Sequence, residues 1–394
     1  MLTEQQTELL ARVRTFVSEV VAPRAADLDR QERPEDCFSW EIVDEADARG
    51  LRTLTLAPEY GGAGVDALTT SMVIEELARG DLGVSVIFAQ TLKIVQTIQG
   101  ACSKEQRDRF LPMFRDDPRF LLAIGITEPG RSSDYFYPRD DPEMRFATTA
   151  TYGDGGWTLN GKKHFISLGN RASLFLVFAQ TDPTASLTRG STCFLVPRST
   201  PGFSNGVVHD KMGERLVNNA ELIFEDCHVP EENVVGEIGR GFDVLTTFFP
   251  ASNAYAAASA LGVAQAAYDA ALSWTRTRVQ GGARLIEHDI IAKDLARMEM
   301  LIGAARAYIR EAASAADAGG EDWVPTMAAL PKVFASEVTW EVVTTALELH
   351  GGWGYMRNAG VEKLVRDGAA WLHSDGANRT LLLKAATVIR QGGA

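Results

Sequence analysis

Apolar residues recur with a helical period at Leu9, Leu10, Val13, Phe16, Val17 and Val20, behind Thr3 and with Glu4 and Glu8 in the first turn, where the helix dipole favours anions. The spacing predicts an opening amphipathic helix. Trp40 to Ala48 repeat the pattern and stop at Gly50, placed as a C-cap. Pro58 to Gly64 are too glycine-rich for either regular element, and they lack both GxGxxG spacing and the Lys-Ser/Thr of a phosphate cradle. From Leu68 to Met113 the period is helical again, with Gly100 and Ser103 marking a break between two helices. Between Leu121 and Asn233 the runs Ser173 to Ala179, Ser191 to Val196 and Ala220 to Phe224 are β-rich and punctuated by Asp-Pro, Gly-Gly and Pro-Gly. Beyond Gly236 to Gly241 the chain reads as helix to its end, starting with the Ala-rich stretch Ala254 to Ala271, whose small residues let helices pack closely. The order predicts an α+β chain: an all-helical domain over 1–121, a β-sandwich or barrel over 122–235 and a helical bundle over 236–394.

With 394 residues and 45% apolar content the chain can bury a large core. A net charge of −13 argues against nucleic acid or an anionic membrane as the main partner, although a local cluster can still oppose the global sign. Cys37, Cys102, Cys193 and Cys227 are dispersed without metal-ligand spacing, so they read as free buried thiols, and no metal site is expected. The N-terminus mixes charges into its apolar pattern, and no run approaches the roughly 20 apolar residues of a membrane span. A cytoplasmic protein is the expectation.

Two segments carry candidate chemistry. Leu121 to Asp134, LLAIGITEPGRSSD, is an apolar strand delivered into a turn, with Pro129 presetting φ and Gly130 free to take whatever φ follows. Ser132 and Ser133 suit a phosphate or a heterocycle edge; they are equally what a turn needs for local reasons. In the second segment Asn160-Gly161 reads as a hairpin-type turn, after which Phe165 and Ser167 put a stacking face and a hydrogen-bonding edge on one side of a strand.

The two segments resemble the TEPGAGSD and NGxKxWIT signatures of the acyl-CoA dehydrogenase family, a fold of N-terminal helices, a middle β domain and a C-terminal four-helix bundle. The resemblance implies FAD as cofactor, with Thr127 and Ser167 on the flavin edge, Phe165 against the ring and Ser133 at the pyrophosphate. Arg131, Ser132, Phe165 and Ser167 depart from the signature, and Arg131 adds a charge. Arg278 to Gly282 resemble the family's RxxFG turn, which places Arg278 and Gln280 at the FAD of a neighbouring subunit; Gly351 and Gly352, in HGGWGY, resemble its GGxGY segment beside the FAD adenine and pyrophosphate. A helix C-cap with a solvated Arg is the alternative for Arg278. Val361 to Asp367 resemble VERLYRD, and Gly213 and Arg215 match a GxRxS segment in which Val217 replaces the Ser.

The family's catalytic glutamate falls on Asp375, while its alternative site falls on Ser252, which cannot act as a carboxylate base. By resemblance Asp375 is the base at the substrate α-carbon, Gly376, Asn253 and Arg131 lie on the substrate side, and Ala377 and Arg379 on the cofactor side. A carboxylate in an apolar pocket is a competent base. Aspartate is about 1.5 Å shorter in reach than glutamate, and misplacement of that size can cost about 10²-fold in rate. Asp375 also reads as the N-cap of a helix over Thr380 to Ile389, and His373 as a packed residue or a second base. Asn253 and Pro250 replace an Arg and an acid that many CoA-using members carry near the pantetheine arm. The implied reaction is α,β-dehydrogenation of a cyclic or branched acyl thioester, on CoA or a carrier protein, with electron-transfer flavoprotein as acceptor, in a homotetramer or homodimer. The rivals are other flavin chemistry on the same fold (a monooxygenase, a nitroalkane-oxidase-like enzyme, an acyl-carrier-protein dehydrogenase) and a catalytically idle flavin-binding scaffold.

Overall fold

A computed structural model describes residues 2–137, 141–319 and 325–391. Six helices come first: α1 (Glu4–Phe16), α2 (Ala22–Asp29), α3 (Trp40–Ala48), α4 (Ala67–Gly80), α5 (Leu82–Ala101) and α6 (Lys104–Asp116). Thr3 caps α1 in a full capping box with Gln6, so the first helix begins where its side chains satisfy the free N–H groups. The segment from Leu68 to Met113 holds three helices rather than two. The overlooked break lies at Asp81, whose extended backbone ends α4 while its side chain accepts from Val84 N–H to cap α5.

Strands β1 (Leu122–Gly125), β2 (Thr149–Gly153), β3 (Gly156–Ser167), β4 (Leu174–Gln180), β5 (Ser191–Pro197), β6 (Phe203–Val208), β7 (Asn219–Pro230) and β8 (Val234–Val235) form one mixed sheet, with the short helix α7 (Leu187–Gly190) between β4 and β5. Its order is β6-β7-β3-β2-β4-β5-β8, and β1 pairs in parallel with β4. The hairpin expected at Asn160-Gly161 is instead the interior of β3. The turn lies at Asp154-Gly155, both at positive φ, and joins β2 to β3 with Gly153 opposite Gly156. Gly161 marks a bulge: its φ is +137°, and a Cβ there would meet Thr148 Cα at 2.7 Å. A second bulge between Lys163 and Ile166 puts Phe165 at φ +57°.

The remaining helices are α8 (Gly241–Thr277), α9 (Asp289–Ala318), α10 (Pro325–His350), α11 (Val361–Ala370) and α12 (Asn378–Arg390). At the turn expected over Arg278 to Gly282 the chain forms a two-stranded ribbon, β9 (Val279–Gln280) with β10 (Ala283–Arg284), closed by Gly281-Gly282 at positive φ. The Ala-rich α8 is the common spine and packs against α4, α5, α9 and α10. One large core therefore runs from the N-terminal helices through one face of the sheet into the bundle, and a second lies between α5, α6, the other sheet face and the start of α8. All four cysteines are free and buried. Among the described residues no helix is long and apolar enough to cross a membrane.

Candidate active site

The two motif segments are pinned to each other by a buried ion pair. Glu128, inside the Thr127 turn, meets Lys163 of β3 at 2.7 Å, and neither side chain is more than 1% exposed. Glu128 also accepts from Tyr135 OH (2.9 Å) and from the N–H groups of Ala147 (2.6 Å) and Thr148 (2.9 Å). Burial works against the Glu128 carboxylate, but Lys163 and these donors outweigh it and leave Glu128 below the ordinary glutamate range. Burial brings the Lys163 ammonium down to about 8 against the pull of Glu128. His164 N–H donates to Thr127 O at 2.8 Å, and Glu128 and Arg131 exchange backbone hydrogen bonds across Pro129-Gly130, with Gly130 at φ +83°. The turn and the strand thus form one rigid wall. From it Phe165, 56% exposed, presents its ring beside Thr127 and Ser167, and Asn219 donates to Phe165 O and to Ser167 Oγ.

The opposite wall is the loop between α11 and α12. Asp375 and Gly376 both adopt positive φ, +50° and +92°. Lys332 of α10 holds this bend, donating to Gly376 O (2.8 Å) and Asn378 Oδ1 (3.0 Å), while Ala377 N–H donates to Ser133 Oγ (3.1 Å). Burial lowers the Lys332 ammonium to about 8, with Asp375 opposing. The bend aims Asp375 inward, where Oδ2 accepts from Lys93 Nζ of α5 at 3.0 Å. Lys93 also donates to Ser252 Oγ (3.2 Å) and faces the Phe248 ring at 4.9 Å. The capping alternative for Asp375 is corrected: α12 starts at Asn378 behind Ala377, with no side-chain cap, and the Asp375 carboxylate is engaged elsewhere.

Between the walls lies a cavity of about 490 Å³, lined from all three parts of the fold. Its floor is polar: Gln90 and Lys93 come from α5, and Lys211 and Glu214 from the turn before β7. Glu214 pairs with Lys211 at 3.0 Å, and its N–H is held by the buried Asp367, which itself pairs with Lys363. Burial, with Asp367 and Asp375 adding to it, raises the Glu214 carboxyl, and Lys211 offsets this only in part.

Of the residues singled out in the sequence, Thr127, Ser133, Phe165, Ser167, Asp375, Gly376 and Ala377 share this cavity, and His373 lies exposed on its rim. Arg131 faces outward and donates to Glu143 O, Arg379 is exposed, and Asn253 is buried on α8 away from the wall. Arg278, Gln280, Gly351 and Gly352 gather at the other end of the bundle, where Trp274 and His350 stack at 5.2 Å and tie the C-terminus of α8 to that of α10. Sequence reasoning missed Gln90, Lys93, Lys211, Glu214 and Asn219. A signal existed for Lys93: it is the single charge in the 20 residues of α5, and a buried lysine needs a partner.

An exposed aromatic ring flanked by two hydroxyls, facing a carboxylate across a cavity, fits an isoalloxazine ring with a substrate beside it. Comparison with known proteins agrees with that geometry. Residues 3–116, 123–227 and 239–389 match the models of the N-terminal, middle and C-terminal domains of acyl-CoA dehydrogenase. The chain is 34% identical over 367 residues to cyclohex-1-ene-1-carbonyl-CoA dehydrogenase of Geobacter metallireducens, covering 93% of each chain. It is 33% identical over 386 residues to the short-chain-specific acyl-CoA dehydrogenase of Megasphaera elsdenii, covering 97% of each. The solved structure of butyryl-CoA dehydrogenase from Megasphaera elsdenii superimposes with a TM-score of 0.91 at 32% identity, covering 99% of both chains. With all three domains matched in order, the chain belongs to the acyl-CoA dehydrogenase family.

Proposed function

We propose that the protein is an FAD-dependent dehydrogenase that removes hydrogen from the α and β carbons of a compact acyl thioester, with Asp375 as the α-proton base. The observation that carries this reading is the Asp375 carboxylate opening into the cavity whose other wall presents the exposed Phe165 ring. FAD, when bound, supplies the hydride acceptor at flavin N5. Phe165 would stack on its ring, Thr127 and Ser167 would bond its edge, and Ser133, Ala377 and Arg379 would lie toward its phosphates. Asp375 takes the α-proton, and the backbone N–H groups at the Asp375 bend suit the thioester carbonyl. A single cavity of about 490 Å³ that must admit both a flavin edge and an acyl group favours a short, cyclic or branched substrate over a long chain. The likeness to enzymes named for cyclohexene-carbonyl-CoA and short-chain acyl-CoA supports the same choice.

Arg278 lies 25 residues along α8 from Asn253, about 37 Å at helical rise. It and Gln280 would therefore serve a FAD held by a second copy, with Gly351 and Gly352 beside them, in a homotetramer or homodimer. Electron-transfer flavoprotein is the acceptor this chemistry calls for.

Anaerobic titration of the purified holoprotein with straight-chain, branched and cyclic acyl-CoA thioesters tests the reading. Bleaching of the flavin by a compact thioester, slowed by about 10²- to 10⁴-fold in Asp375→Asn, is expected. Flavin that dithionite reduces and no thioester bleaches would overturn it.

A further inference from the structure

Lys93 is a cation carried into an apolar helix at a cost, and its contacts show what it holds there. α5 is otherwise uncharged, and the Lys93 side chain is 5% exposed. An ammonium has three N–H bonds. One goes to Asp375 Oδ2, one to Ser252 Oγ, and the remaining face lies against the Phe248 ring. Both hydrogen bonds of the ammonium stay within the protein. What it does hold is the carboxylate. Lys332 and Ser133 fix the backbone of the same bend through Gly376 O and Ala377 N–H, but neither touches the Asp375 side chain. Among the described residues Oδ1 of Asp375 has no partner, and the side chain is 30% open.

We propose that Lys93 is the positioning residue of Asp375: from the α5 side it grips one carboxylate oxygen and leaves the other toward the cavity. This lets an aspartate work as base where its reach is one methylene short of a glutamate's. The proposal rests on the reading that Asp375 is the base. Misplacing a reacting oxygen by an ångström can cost about 10²-fold, and a short side chain on a bend at positive φ has little slack with which to correct itself. The charged and titratable groups facing Asp375 are Lys93 from α5, Lys332 from α10, Glu214 with Lys211 from the turn before β7, and His373 on its own loop.

The test is stopped-flow anaerobic flavin reduction by the best thioester of the titration, followed against pH in holoenzyme carrying Lys93→Met, Lys93→Arg or Asp375→Asn. Lys93→Met is expected to slow the limiting reduction rate by about 10²-fold with thioester affinity within about threefold. A nearby cation stabilises a carboxylate over the acid, so its removal moves the acid limb of the profile to higher pH. Lys93→Arg keeps the charge and is expected to restore the acid limb and part of the rate. A Lys93→Met enzyme with wild-type rate and acid limb, or one that loses only thioester affinity, overturns the proposal. Should Lys93→Met not retain flavin, Lys93→Gln decides: an upward shift of its acid limb supports the clamp and an unmoved limb overturns it. Asp375→Asn separates the two levels. Wild-type reduction by that variant would overturn the base assignment itself, whereas its inactivity beside an unaltered Lys93→Met would overturn the clamp alone.

Discussion

Lys163 meets Glu128 at 2.7 Å and Lys93 meets Asp375 at 3.0 Å, and all four residues stand at or just behind the cavity, yet the two pairs differ in what surrounds the carboxylate. Glu128 is saturated: a lysine, a phenol and two backbone N–H groups share its oxygens, and it is buried. Among the described residues Asp375 has one partner, and its side chain is open on the other side. The first arrangement can only hold strands together, because a carboxylate with every lone pair engaged has none to offer a proton. The second holds a carboxylate without using it up. Burial of a lysine is thus the same device in both places, and the count of remaining acceptors separates scaffold from chemistry.

Lys163→Met tests the scaffold half most severely. It would leave Glu128 buried without its counter-charge, and breaking one partner of such a pair costs about 3–5 kcal/mol. Chemical denaturation and flavin content should both fall, because the turn at Thr127 and the strand bearing Phe165 lose their link. Lys93→Met should cost far less stability, since the carboxylate it abandons is open to water. Equal losses in the two variants would erase the distinction drawn between the pairs.

Glu128→Gln sharpens it through pH. The amide offers one accepting oxygen where the carboxylate offered two, so its NH2 group turns toward the N–H of Ala147 or Thr148, and Lys163 loses its counter-charge; the expected loss is about 3 kcal/mol at pH 7. The folded-state Glu128 value is depressed, so its contribution is fully present above the unfolded value near about 4.3 and is lost as pH falls through the lower folded one. The stability gap between wild type and variant should therefore close as pH falls below about 4. A gap that stays open at that acidity would contradict the assignment of Glu128 as the ionised member.

How much of this could be read beforehand follows from how local each signal is. Thr3 with Gln6, and Ser39 before Trp40, announce helices because capping is settled within four residues. Asn160-Gly161 misleads because a dipeptide that allows positive φ serves a bulge as well as a turn, and the close approach of Thr148, just ahead of β2, leaves no room for a Cβ at Gly161. Asp81 was passed over because one residue both ends and starts a helix there. In the site, Thr127, Ser133, Phe165, Ser167 and Asp375 came from segments whose residue types are set by what they face, and they share one cavity. Asn253 and Arg131 rest on position alone: Asn253 is buried on α8, and Arg131 donates to Glu143 O. Lys93 and Glu214 needed tertiary contacts across more than 150 positions of chain to acquire meaning, as with Lys93 and Asp375. Only the isolation of one charge in an apolar helix hinted at the first.

The smallest effects make the finest cut, because each pair has a hydroxyl that can be removed without touching a charge. Tyr135→Phe deletes the phenol that donates to Glu128 at 2.9 Å, and Ser252→Ala deletes the acceptor of Lys93 at 3.2 Å. A single hydrogen bond of this kind is worth about 0.5–1.5 kcal/mol, somewhat more to a charged partner. For Tyr135→Phe that amount should appear in the unfolding free energy, with the rate of flavin reduction unchanged, since Glu128 keeps three other donors. For Ser252→Ala it should appear in the rate, up to about tenfold, because Lys93 retains Asp375 and Phe248 but loses the anchor that fixes the direction of its grip. The stability of Ser252→Ala should fall by no more than that single bond is worth. If Ser252→Ala lost stability and kept its rate, the Lys93 pair would be a second scaffold like the first, and the open oxygen of Asp375 would be an accident of packing.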